Sequence, residues 1–120
     1  MDAVGLHGAA VDVASPFAWR DGRLVYGGPD GSAGVTWVRE QVLRRHRRED
    51  VCAWAQAILE ENLVGLARTW LRRTGHRRLV VAGGVFANVR LNQRLHELDD
   101  VDEFFVCPNM GDGGHAVGAV

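Results

Sequence analysis

The residues best suited to chemistry in this sequence lie in two glycine clusters. In "VVAGGVFANVRL", Gly83 and Gly84 end an apolar run, and Asn88 follows shortly after. In "PNMGDGG", Asp112 stands between Gly111 and Gly113, flanked by nothing bulky. Glycine lacks the Cβ that would keep a ligand off the main chain. Where such a corner opens a helix, unpaired N–H groups and a partial positive charge favour a phosphate. The guest that these corners admit is therefore read as part of a nucleotide. Plainer roles stand beside this one. A Gly-Gly pair also serves a left-handed turn or a tight helix–strand crossing. Asn88 can cap a helix or hydrogen-bond a ligand. Asp112 can be an N-cap, or a carboxylate offered to a divalent cation beside phosphates. Iron or manganese would accept it too, given imidazole ligands from elsewhere. Neither GxxxxGK[ST] nor GxGxxG occurs.

The elements that must position these corners follow from periodicity. Apolar residues from Val51 to Leu71 recur at three- and four-residue steps and predict a helix over 50–74. Asp50 suits its N-cap, Arg72 and Arg73 its C-terminal dipole, and Gly75 its C′ position. This helix is read as a packing element without chemistry. "RLVVAG" (78–83) is a buried strand, "ANVRLNQRLHEL" (87–98) a helix with Val89, Leu91, Leu95 and Leu98 as its main apolar residues, and "EFFVCP" (103–108) a second strand. "NMGDGGHAVGAV" is a loop running into a third helix. Alternation of this kind predicts an α/β unit with parallel strands, both corners lying at the strands' carboxyl ends. Upstream, Phe17–Trp19 and Leu24–Tyr26 form a hairpin through Asp21-Gly22. "GGPDGSAG" (27–34) is a connector and residues 35–47 a short helix. The whole is read as one partial domain, 1–48 being loop- and hairpin-rich and 49–120 the α/β core.

Composition narrows the function classes. The chain has 120 residues, 47% hydrophobic and 24% charged, with a formal net charge of −1. That balance gives no general attraction to nucleic acid or anionic membrane. Five basic or imidazole residues run from Arg44 to Arg48, but Glu49 and Asp50 follow at once, so a solvated helix end is the better reading. Cys52 and Cys107 lack CxxC spacing and are read as small buried apolar residues in a reducing compartment. With no apolar run of about 20 residues and no secretory signal at the N-terminus, the expected location is cytoplasmic. The C-terminal "GDGGHAVGAV" opens a helix that stops after about one turn, which suggests a piece of a longer polypeptide.

Taken jointly, "VVAGGVFANVRLNQRL" and "FFVCPNMGDGGHAVGA" resemble the actin-like (ribonuclease-H-like, ASKHA) ATP-binding domain of the NodU/CmcH carbamoyltransferase family. The resemblance is tight over 78–120, looser over 50–74 and thin before residue 50, where "WRDGRLVYGGP" looks like hairpin insertions of some members. It implies a second-lobe segment in which Gly83, Gly84, Asn88, Gly111 and Gly113 contact ATP or a carbamoyl-adenylate. Asp112 would join two histidines in holding a divalent metal (iron, manganese or magnesium) at the phosphates. By the same resemblance, the full enzyme makes carbamoyl-adenylate from ATP and carbamoyl phosphate and passes the carbamoyl group to a small hydroxylated acceptor. The family's HxxxH pair has no counterpart, since His7, His46, His76, His96 and His115 are nowhere four apart. The first lobe, its phosphate loop and the carbamoyl-phosphate-handling domain are missing as well. The isolated chain is therefore expected to be inactive, to grip nucleotide from one side only, and to expose an apolar edge where a first lobe or companion chain would sit. Rival readings are another actin-like ATP user, of sugar-kinase or threonylcarbamoyl-transfer type, and a non-catalytic remnant.

Overall fold

The computed structural model describes residues 11–109 and 111. The chain divides into two compact units, Met1–Asn62 and Leu63–Val120.

In the first unit, β1 (Phe17–Arg20) and β2 (Arg23–Tyr26) pair antiparallel, with Phe17 opposite Tyr26 and Arg20 opposite Arg23. The link is the expected Asp21-Gly22 turn, in which both residues have positive φ, 49° and 81°. That backbone matches the right-handed twist of the strands it joins, which explains why this residue pair is favoured there. The helix expected over 35–47 begins earlier. Residues Gly31–Trp37 form α1, and Val38–Leu43 continue it as a π-helical turn. Two glycines inside a helix are unfavourable by propensity alone. At Gly34 the absence of a Cβ is required, because one would lie 2.5 Å from the Pro29 carbonyl oxygen. Val42 on the π-helical turn is fully buried, and the His46 ring Nδ1 lies 2.9 Å from its carbonyl oxygen.

The long helix α2 spans Arg48–Thr74. It starts two residues before the sequence pattern suggests: the Arg47 carbonyl accepts from the Val51 N–H at 3.0 Å, so Arg47 takes the N-cap place and Asp50 joins the first turn beside Glu49. Acidic groups there favour the positive end of the helix dipole without capping it. The other end matches expectation. Gly75 has φ 72° and its N–H donates to the Leu71 carbonyl at 2.9 Å, a left-handed C-terminal cap. Cys52 lies exposed on this helix, contrary to its reading as a buried residue. Its position falls on the solvent side of the stripe that carries Val51, Trp54 and Ile58. The most completely buried residue of α2 is Glu60, an acid, whose carboxylate accepts from Gln56 Nε2 at 2.7 Å one turn earlier.

In the second unit, β3 (Arg78–Val81) and β4 (Glu103–Val106) pair in parallel, Val81 opposite Val106. Between them run a 3₁₀ turn, Gly84–Ala87, and α3, Val89–His96. Leu91 and Leu95 of α3 are fully buried and Leu98 just beyond it is nearly so, but Val89 is 79% exposed. Val89 lies two residues before Leu91, about 200° around the same helix, and so falls opposite the face that Leu91 and Leu95 define. Among the described residues the sheet is covered on one side only. Val81 is buried and Leu79, Phe104 and Val106 are half-buried, whereas Val80 and its register partner Phe105 are 67% and 57% exposed. Parallel sheets ordinarily have both faces covered. Beside β3 lies an apolar cavity of about 460 Å³ that includes Leu66, Trp70, Val80 and Phe86 in its lining.

Ion pairs fasten the ends of these elements. Asp100 accepts from Arg72 through both carboxylate oxygens, at 3.3 and 3.1 Å. Arg77 forks onto Asp102 with two contacts of 2.7 Å and donates to the Asp99 carbonyl at 2.8 Å. No helix among the described residues is long and apolar enough to cross a membrane.

Candidate functional site

The first glycine corner is built by a short chain of local causes. The ladder stops at β3, and Gly83 then adopts φ 104°, ψ 163°. Residues with a side chain almost never take that conformation. A Cβ added at Gly83 would meet nothing within 4 Å. Glycine is therefore needed here for backbone conformation, and among the described residues no group fills the space that it leaves. From this corner the chain enters the 3₁₀ turn. The Phe86 N–H donates to the Gly83 carbonyl at 3.1 Å, and that of Asn88 to the Val85 carbonyl at 3.2 Å. At the start of any such turn the leading N–H groups, here those of Gly84 and Val85, have no acceptor within the turn itself.

Asn88 is the N-cap of α3. Its φ is −76° and ψ 100°, and its Oδ1 accepts from the Leu91 N–H at 3.0 Å. Of the two roles open in the sequence, capping is thus fulfilled. Asn92, which the sequence reading passed over as an ordinary helix residue, reaches back from the first turn of α3 and donates through Nδ2 to the Phe86 carbonyl at 2.7 Å. Its Oδ1 is buried and has no partner among the described residues. The signal that could have found it is asparagine at four-residue spacing (Asn88, Asn92) at a helix start.

The second corner follows β4. The Cys107 N–H extends the ladder by donating to the Val81 carbonyl at 2.8 Å. Asn109 takes φ 61°, a left-handed conformation that asparagine tolerates better than most residues. Gly111 is exposed, and a Cβ there would also meet open space. Because β3 and β4 are parallel neighbours in register, the chain leaves both at the same edge of the sheet. Gly83, Gly84, Asn88 and Gly111 therefore follow the carboxyl ends of adjacent strands. Asp112, Gly113 and His115, with the helix expected after them, lie outside the described residues, as does His7.

Among the described residues no three His, Cys, Asp or Glu side chains come together as a metal site. His46 is occupied on the Val42 carbonyl, and His96 stacks edge-on to Phe104 with ring centroids 6.0 Å apart. The described part of the chain thus offers main chain free of side chains at the ends of two neighbouring strands, and Asp112, the expected metal ligand, lies outside it.

Comparison with known proteins follows the same segment. A family model described as carbamoyltransferase N-terminus matches residues 35–120. A tRNA N6-adenosine threonylcarbamoyltransferase of Bordetella avium is 47% identical over 60 residues, covering 50% of this chain and 17% of that protein. A probable bifunctional tRNA threonylcarbamoyladenosine biosynthesis protein of Methanosarcina mazei is 34% identical over 86 residues, 68% of this chain and 16% of its own length. Protein MJ1058 of Methanocaldococcus jannaschii is 33% identical over 86 residues, 62% of this chain and 14% of that protein. The chain thus spans between 14% and 17% of the length of these curated relatives. No solved structure matches it significantly.

Proposed function

The chain belongs to the carbamoyltransferase N-terminus family, and from that premise we propose that it is a nucleotide-contacting segment of an ATP- and carbamoyl-phosphate-dependent O-carbamoyltransferase. The finer assignment is to the NodU/CmcH type, with β3, α3 and β4 belonging to the second lobe of an actin-like ATPase fold in the cytoplasm. The observation that carries the reading is the Gly83 corner. Its backbone is held where only glycine fits comfortably, at a strand's carboxyl end, and the direction a side chain would take is open. Gly84, Asn88, Gly111 and Gly113 complete the contact set. Asp112 supplies one metal ligand, the others coming from polypeptide other than the described residues. A metal bound there would act as Lewis acid and template at the phosphate and carbonyl oxygens. Alone, the chain would bind ATP weakly and turn nothing over.

A second reading is transfer of a threonylcarbamoyl group to tRNA, supported by the names of the Bordetella and Methanosarcina relatives. Both readings require the nucleotide cradle and differ in the group transferred.

Titration of the isotope-labelled chain with magnesium ATP tests the shared part. Amide shifts should concentrate at Gly83, Gly84, Asn88 and Gly111. No shift up to about 10 mM ATP, an affinity weaker than any useful site, refutes nucleotide contact. Joined to the remaining domains of a family member, the chain should support carbamoyl transfer from carbamoyl phosphate. Asp112→Ala should then abolish turnover without unfolding the protein. Turnover with threonylcarbamoyl-adenylate and tRNA instead selects the second reading.

A further inference from the structure

Asn92 carries an inference that the family assignment does not contain. Its side chain combines a short bond to the Phe86 carbonyl, 2.7 Å, with a buried Oδ1 that has no partner among the described residues. A buried acceptor left unpaired is a liability in a folded protein. A leucine of similar reach would avoid it. What an amide supplies at this position, and an aliphatic cannot, is therefore the Nδ2 donor. The donor's target is informative. Phe86 lies within the 3₁₀ turn, whose own bonds from Phe86 and Asn88 are longer, at 3.1 and 3.2 Å. The Asn92 main-chain N–H meanwhile donates to the Asn88 carbonyl at 3.1 Å. The Asn92 side chain thus holds the turn at Phe86, from a helix anchored by fully buried Leu91 and Leu95, while its main-chain bond to Asn88 is the ordinary helical one.

We infer that Asn92 is the positioning residue of the Gly83–Asn88 turn: by holding the Phe86 carbonyl it fixes the directions of the amides that face the nucleotide. The inference rests on the proposed nucleotide contact for its functional consequence, though not for its structural one. A turn of this kind has few bonds of its own, and an amide set aimed at a phosphate is effective only when it is held in place before the ligand arrives.

The test uses the 120-residue chain with two substitutions, Asn92→Leu and Asn92→Asp. Leucine removes the donor and the orphaned acceptor together. Aspartate keeps the shape but presents a carboxylate that cannot donate. Three quantities are read: thermal midpoint, amide hydrogen exchange at Phe86 and Asn88, and the ATP dissociation constant from amide shifts. In the leucine variant the midpoint should hold or rise, while exchange at both amides speeds about fivefold, the scale of one net hydrogen bond. ATP binding should weaken by about the same factor. The aspartate variant should show the same faster exchange. Unchanged exchange at Phe86 and Asn88 in both variants overturns the inference. So does unfolding of both, since Asn92 would then be a residue of general stability. If the wild-type chain shows no ATP shifts, the proposed nucleotide contact fails, and the exchange measurement alone decides whether Asn92 positions the turn.

Discussion

Gly83→Ala isolates backbone conformation from every other consequence of adding a methyl group. At φ 104° and ψ 163°, Gly83 occupies a region that costs a residue with a Cβ about 1–3 kcal/mol. No clash adds to this, because the new Cβ would have nothing within 4 Å. Part of the cost is offset by alanine's smaller conformational freedom in the unfolded chain, about 0.4–1 kcal/mol. The net loss should be about 1–2 kcal/mol. In a domain of this size that lowers the thermal midpoint by roughly 4–16 °C. Two other glycines calibrate the result. Gly75→Ala, at φ 72° and also facing open space, should lose about 1 kcal/mol. Gly111→Ala, which has neither a positive φ nor a neighbour, should stay within about 0.5 kcal/mol of wild type. Urea unfolding followed at the methyl resonances of Leu91 and Leu95, both buried in the same unit, reports all three. An alanine at Gly83 as harmless as one at Gly111 would show that the corner is not conformationally committed. The argument that glycine there serves a guest would then lose its footing.

The remaining expectations are briefer. Leu91→Ala removes a side chain with no exposed surface and should cost about 2–5 kcal/mol; a loss under 1 kcal/mol, read by urea unfolding, would mean α3 is not the anchor of its unit. The Arg77 fork holds the Asp102 carboxyl below its ordinary value of 3.8, chiefly through their hydrogen bond, while the same bond raises Arg77, which stays charged throughout the acid range. A depressed carboxylate contributes stability above its unfolded value and loses it as pH falls through the folded one. An NMR titration should therefore place the Asp102 midpoint below 3.8, and Arg77→Ala should return it upward. Both groups are solvent-exposed, so the effect on folding should be small. Val80→Lys with Phe105→Lys should leave stability within about 0.5 kcal/mol of wild type per site and reduce binding of a hydrophobic dye. A large loss of stability would mean that this face is covered.

Local chemistry made several elements legible before any coordinates. The Asp21-Gly22 turn, the Gly75 cap and the alternation of helix and strand after residue 77 depend on neighbours within a few residues, and those neighbours are written in the sequence. The need for glycine at position 83 is likewise local, since it follows from the φ of 104° there. Helix starts were less legible. The pattern suggested Asp50 as a cap and a helix over 87–98, yet the chain begins α2 at Arg48 and inserts a 3₁₀ turn before α3, which runs from Val89 to His96. A one-turn change of helix type shifts the phase of every later residue, and no single side chain announces it.

By itself the sequence determined where the main chain must be bare and which stretches must be helix or strand, because steric freedom at glycine and apolar period are local properties. Only the tertiary structure decided which sheet edge both corners share, that Val80 and Phe105 stay uncovered among the described residues, and that the Asn92 amide turns back onto the Phe86 carbonyl. Strand pairing in register and a side chain's reach across six residues depend on where distant segments pack, and periodicity along the chain carries no record of that packing.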